Sequence, residues 1–269
     1  MAPVTWDADG WPHVETVDGK WAVEYAMPVP AASKTLQKRG GSSGSNGTGP
    51  YSEVFSGLRE LGRRWEWNHD PLAEAWSLTS RGLELRTALL SANLYLAPNT
   101  LTHRTLGPKS QATFRLDVSG MLDGDRAGVA ILRDQSAYLG AHKDGGTTRL
   151  VYVDGLVLDE ASKWTPTDAP GTIRAQGPEI SASDTGHDLW LRVKADVRPA
   201  HWKDYRRETR KVTFWYSFDG KDFTQLGPEY GLDAKWQFFM AYRFAMFNYA
   251  TETVGGRVEV KEFDLALWE

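Results

Sequence analysis

From residue 83 to residue 267 the chain repeats one pattern. Short runs rich in Val, Leu, Phe and Tyr are broken by Gly, Asp and Pro. The runs are LELRT (83–87), ATFRLDV (112–118), AGVAIL (127–132), TRLVYV (148–153), LWLRVKADV (189–197), KVTFWYSF (211–218), WQFFMAYRFAMF (236–247) and GRVEVKEFDLAL (256–267). Asp123-Gly124-Asp125, Asp144-Gly145-Gly146 and Asp219-Gly220 are among the separators. Runs of this length, with turn signals between them and no sustained helical period, fold as strands of an all-β sandwich.

Alternation assigns the faces, because successive strand side chains point to opposite sides. Leu189, Leu191, Val193, Ala195 and Val197 share one side, against Trp190, Arg192, Lys194 and Asp196. Val212, Phe214, Tyr216 and Phe218 oppose Thr213, Trp215 and Ser217. In 236–247 the even-numbered positions carry the bulkier side chains, and Phe239, Arg243 and Phe247 fall on the other side. A face that gathers Trp190, Trp215, Arg243 and Phe247, with Tyr249 beside them, suits a sugar chain. Aromatic rings stack on pyranose faces, and arginine donates paired hydrogen bonds. The competing expectation is that these aromatics pack under loops or against a partner domain.

The N-terminal part is organised differently. WDADGWPHV and VDGKWAVEY offer turns at Asp9-Gly10 and Asp18-Gly19. Strands so short bury too little to stand alone, so residues 1–30 must pack on something else. Residues 31–61 read as a linker. GGSSGSNGTG (40–49) has a flexible composition, and YSEVFSGLRELGRRW (51–65) reads as a brief amphipathic helix. Asn46, in Asn46-Gly47-Thr48, is a candidate glycan acceptor. The sandwich then occupies 62–269 and opens on WEWNHDP (65–71), where Trp65 and Trp67 share a face and Asn68 and His69 satisfy backbone groups.

Composition removes several chemistries. The net charge of −4 argues against a nucleic-acid partner. The absence of cysteine excludes disulfides, thiolate catalysis and Cys-based zinc sites. No stretch approaches the ~20 apolar residues of a membrane span. The first residues, MAPVTWDADGW, lack the basic and apolar regions of a signal peptide. The six histidines show no HxxxH or HxH spacing, and no GxSxG, GxGxxG or P-loop occurs. Asp123 and Asp125, flanking a glycine, read as turn caps. No cofactor is expected. A structural calcium is left open, with Asp264 near the C-terminus as a candidate ligand.

Several stretches in order, WEWNHDP, LYLAPNTLTHR, AGVAIL, VTFWYSFDGKDFTQLG, FFMAYRFAMFNYAT and GGRVEVKEFDLAL, resemble the C-terminal concanavalin-A-like (jelly-roll) sandwich of glycoside hydrolase family 43 β-xylosidases and α-L-arabinofuranosidases. PVTWDADGWPHV…GKW is similar to the last strands of the five-bladed propeller that precedes it in that family. The resemblance implies two antiparallel sheets, a hemicellulose substrate, an extracellular location and a catalytic propeller as partner. The family's catalytic carboxylates belong to the propeller, so none is carried onto this chain. An ancillary module that binds xylan or arabinoxylan is implied. The loop Asn99 to Arg104 corresponds to the active-site rim, with Asn99, His103 and Arg104 as candidates; His103 departs from the commoner NTLTQR. Two alternatives stand beside this reading: a purely structural brace without a ligand, and a sandwich-borne glycosidase, for which no ExDxxE strand is present.

Overall fold

The computed structural model describes residues 2–22, 24–25, 49–181, 188–198, 210–233 and 235–268. The chain divides into two compact units, residues 1–47 and 48–269. In the first, β1 (Val4–Trp6) and β2 (Pro12–Val14) pair antiparallel around the Asp9-Gly10 turn. The second expected turn also forms. Val17 and Lys20 exchange backbone hydrogen bonds across Asp18 and Gly19, both at positive φ. Trp6, Trp11 and Trp21 of this unit are exposed. Asn46 lies outside the described residues.

The second unit starts with β3 (Tyr51–Val54), β4 (Trp65–Trp67), β5 (Trp76–Leu78), β6 (Leu83–Arg86) and β7 (Leu101–Arg104). The long strands follow: β8 (Lys109–Asp117), β9 (Asp125–Leu132), β10 (Gln135–Asp144), β11 (Thr147–Val157), β12 (Thr172–Glu179) and β13 (Asp188–Asp196). β14 (Lys211–Ser217), β15 (Thr224–Gln225), β16 (Tyr230–Gly231), β17 (Arg243–Ala250) and β18 (Arg257–Leu267) complete it. They form a seven-stranded antiparallel sheet, β12-β11-β10-β9-β17-β7-β4, and a nine-stranded one. The path of the latter is β15-β14-β13-β8-β18-β6-β5, with β16 on β14 and β3 on β18.

The core lies between the sheets. Leu189, Leu191 and Val193 of β13 and Phe114 and Leu116 of β8 meet Val129 and Ile131 of β9 and Phe244 and Met246 of β17. β18 keeps both of its halves facing inward by one irregularity. The register on β8 shifts between Val260 and Glu262, so Val258, Val260, Phe263 and Leu265 are all buried despite the broken alternation.

Two expectations need correction here. Residues 51–54 are not the start of a helix. They are an edge strand of the nine-stranded sheet, paired with Glu262–Leu265, and Phe55 just after it is fully buried. The helical spacing of Val54, Leu58 and Leu61 is outweighed by the open flank of β18 beyond the bulge. The run 236–247 is strand only from Arg243; residues before it form a loop. In exchange, β10 and β12 carry too few branched or aromatic residues to announce themselves.

A second apolar cluster covers the outer face of the seven-stranded sheet. Leu94, Tyr95 and Ala97 lie with Ala130, Tyr138, Val151, Ala245, Phe247 and Tyr249. The 3₁₀ turn Leu94–Leu96 is pinned there by the Tyr95 hydroxyl, 2.9–3.1 Å from Ser136 Oγ and the Asp134 and Leu156 carbonyls. Asn93 ties this cover to the next loop by donating to the Thr167 carbonyl at 2.6 Å and the Ala169 carbonyl at 2.9 Å.

Candidate functional site

The proposed single sugar-binding face does not exist. Trp190 and Trp215 lie on the outer side of the nine-stranded sheet, while Arg243, Phe247 and Tyr249 belong to the other sheet. Strand alternation gives the side of a strand but not which sheet it joins. Phe247 and Tyr249 are closed under the Leu94–Leu96 cover, at 0% and 2% exposure. The rim loop is corrected likewise. Asn99 is buried, and its amide brackets the backbone of Leu72 with bonds of 3.1 and 3.2 Å. His103 is buried among Tyr51, Trp65 and Phe263, and burial holds its imidazole down to about 4.

Arg104 and Arg243 are brought together, as neighbours in register, by Glu66. One oxygen of Glu66 accepts from Arg104 Nη2 at 3.0 Å, and the other pairs with Arg243 Nη1 at 2.6 Å. Burial pushes the Glu66 carboxyl up, but the two arginines outweigh it and hold it below its ordinary value. Trp65 and Trp67 both pack on the core, and His69 Nε2 lies 2.7 Å from the Tyr95 carbonyl, so this stretch seats the sandwich. Asp264 is exposed and accepts from Ser52 Oγ at 2.5 Å. Among the described residues no three His, Asp or Glu side chains are grouped to hold a metal ion.

A different surface carries exposed aromatic side chains on a loop beside a cleft. The loop between β16 and β17 is stapled at its base by Arg133, which is 5% exposed. Its guanidinium donates to the Met240 carbonyl at 2.7 Å, to the Phe238 carbonyl at 2.9 Å and to the Lys235 carbonyl, and pairs with Asp134 at 2.7 Å. Burial raises the Asp134 carboxyl, the Arg133 charge counters it, and nearby Asp233 raises it further. Asp233 accepts from Gln135 Nε2 at 2.6 Å, and its backbone N–H donates to the Tyr242 hydroxyl at 2.9 Å. Burial lifts that hydroxyl to about 12, so it stays a neutral hydrogen-bonding group.

On this base sit two aromatic side chains left exposed among the described residues. Trp236 is 72% and Phe239 is 89% exposed, edge to face at 5.9 Å. Behind them Phe238 packs on Trp164 at 5.1 Å. Trp164 and Lys163 both have left-handed backbone, at φ 61° and 52°, a conformation that costs roughly 1–3 kcal/mol per residue and concentrates at ligand clamps. Beside the loop opens a cleft of about 300 Å³, lined by Thr105, Arg133, Val197, Asp233 and Tyr242 among others. Fixed aromatic faces next to a cleft of mixed polar and apolar lining can stack on a ring and orient its hydroxyls. The sequence displayed these aromatics, but as part of a strand, and so hid their exposure.

Residues 52–266 match the family model described as "Beta xylosidase C-terminal Concanavalin A-like domain". The chain belongs to that family. A β-xylosidase of Formosa agariphila is 27% identical over 291 residues, covering 98% of this chain and 41% of the relative. A solved GH43 glycoside hydrolase, engineered to display both endo-xylanase and exo-arabinofuranosidase activity, is 41% identical with a TM-score of 0.84. The match covers 99% of this chain and 49% of that structure. A bifunctional GH43-CE protein of Bacteroides eggerthii is 28% identical with a TM-score of 0.71, over 100% of this chain and 30% of its own. The chain thus spans about half, or less, of the relatives it matches.

Proposed function

We propose that this chain is the ancillary sandwich of a hemicellulose-degrading glycoside hydrolase, contacting xylan or arabinoxylan and bracing a catalytic propeller. The observation that carries the reading is the exposed pair Trp236 and Phe239 on a loop fixed by a buried arginine. Leaving two large apolar rings in water is unfavourable, and an ordered base removes the entropy cost of presenting them. The relatives named above, a β-xylosidase and a xylan- and arabinose-active hydrolase, support the substrate class. Action on a plant-wall polymer supports a location outside the cell. The catalytic carboxylates are assigned to the propeller, and this chain supplies contact with the substrate.

Titration of xylo-oligosaccharides and arabinoxylan, followed by tryptophan fluorescence and heat, tests this. Trp236→Ala with Phe239→Ala is expected to weaken the response to xylo-oligosaccharides and arabinoxylan about tenfold and leave the melting temperature unchanged. An affinity unchanged in the double variant rejects the loop as the contact. Silence of the wild-type chain at millimolar sugar leaves the loop as a protein-docking feature and favours the structural brace.

A further inference from the structure

On the outer face of the nine-stranded sheet, toward the ends of β8, β13 and β18, three cations stand on aromatic rings. Lys194 Nζ lies 5.8 Å from the Trp215 ring and 4.6 Å from the Trp268 ring. Lys109 Nζ approaches the same Trp268 at 4.6 Å. The Arg192 guanidinium lies 3.5 Å over Phe223, with Nε donating to Thr113 Oγ1 at 2.8 Å. Arg192 is directly opposite Trp215, and Lys194 follows two residues along the same face. All six side chains are partly exposed.

The acids around them are already answered. Asp188 and Glu262 pair with Arg115, and Asp188 also with Lys261. Asp196 pairs with Arg198 through both oxygens. Asp264, across Thr113 from Arg192, has no ion pair among the described residues and accepts from Ser52. Among the described residues, three ring-held cations therefore stand near one carboxylate without an ion pair, in a chain whose net charge is −4. Ring contact holds each cation in place and partly desolvates it, which strengthens a bond to an incoming anion.

We infer that this face binds an acidic polysaccharide: pyranose rings stack on Trp215 and Trp268 while Lys109, Lys194 and Arg192 take the carboxylates of uronic-acid substituents. The inference rests on the hemicellulose reading above and adds a second site with its own chemistry. Nucleic acid also offers anions and flat rings. It is disfavoured because a phosphate backbone needs a longer basic track than three cations.

The test uses the intact chain with glucuronoxylan, with the same polymer after reduction of its carboxyl groups, and with single-stranded DNA, by calorimetry at low and high salt. Binding to the acidic polymer about tenfold tighter than to the reduced one is expected, as for hydrogen bonds to charged groups. Salt should erase the difference. Lys194→Met, which keeps the stem over the rings, should remove the preference for acid while the melting temperature holds. Trp215→Ala should weaken both polymers, and Trp236→Ala with Phe239→Ala should leave the acid preference intact. Equal binding of acidic and reduced polymer, or a preference unaffected by Lys194→Met, overturns this inference and leaves the hemicellulose reading standing. DNA binding as tight as glucuronoxylan overturns it in favour of a general anion surface. No binding to either xylan overturns both readings.

Discussion

Asp125 shows how one buried group can set a pH dependence. Its carboxyl is wholly buried, accepts from the Leu122 N–H at 2.7 Å, and leaves Oδ1 without a partner. Burial pushes it from 3.8 up to about 6. The folded state therefore holds a proton that the unfolded chain releases. Its ionised form costs stability above pH 6, and that cost disappears as pH falls toward 3.8. Asp125→Asn is expected to stabilise the chain at pH 8 by roughly 2–3 kcal/mol and to change little near pH 4, read by thermal melts at both values. Equal effects at the two values would show that the carboxyl ionises freely. Arg133 makes the opposite case. Arg133→Ala strands the Asp134 carboxylate and the loop carbonyls, and should cost about 3–5 kcal/mol. Proteolysis within 233–242 should appear before global unfolding; a melting temperature within a degree of wild type would refute the staple.

Among the elements, β3 is the one whose assignment changes the domain boundary. It occupies the flank of β18 beyond the bulge, and Phe55 at its end inserts fully into the core. A chain beginning at residue 49 is expected to melt like the full sandwich. One beginning at 62 should lose cooperative unfolding, and Phe55→Ala alone should cost about 3–5 kcal/mol by the cavity it leaves. If the 62–269 chain melts normally by calorimetry, β3 is dispensable. The elements most legible in the sequence were β8, β13 and β14, where apolar residues alternate with polar ones, and β18, whose two halves alternate on either side of its bulge. β10 was invisible because QSAYLGAHKD is buried on both faces and mixes Ser, Ala and Gly with Tyr, Leu and His, so no apolar-polar alternation survives. The loop before β17 read as strand because its even positions are all large, although of these only Tyr242, Phe244 and Met246 join the core between the sheets.

For the molecule as a whole, two buried imidazoles set the acid limit. Burial lowers His103 to about 4 and His142 to about 3, with Arg126 adding to the latter. The unfolded chain binds two protons, below about pH 6.5, that the folded chain refuses. Their contribution is complete above that value and is lost as pH falls toward 4 and 3. Asp125 opposes this with one proton, so the net slope still lowers stability in acid. Melting temperature should fall steadily from pH 6.5 to 4, and His103→Gln should flatten that fall; a flat wild-type profile would refute it.

The β-rich class, the inward alternation of β8, β13 and β14, the turns and the family resemblance were written in the sequence. Each depends on residues within a few positions of one another, or on motifs in chain order. Which strands share a sheet, and therefore which aromatics share a surface, was decided only by tertiary structure. Trp190 and Phe247 sit at equivalent outward positions of their strands, but one borders solvent and the other lies under the cover of Leu94–Leu96. Exposure is a property of what packs on top, contributed here by residues more than a hundred positions away in the chain, and no local period encodes it. The same holds for Trp236 and Phe239, whose exposure rests on a guanidinium from the β9–β10 turn that no spacing in the sequence connects to them.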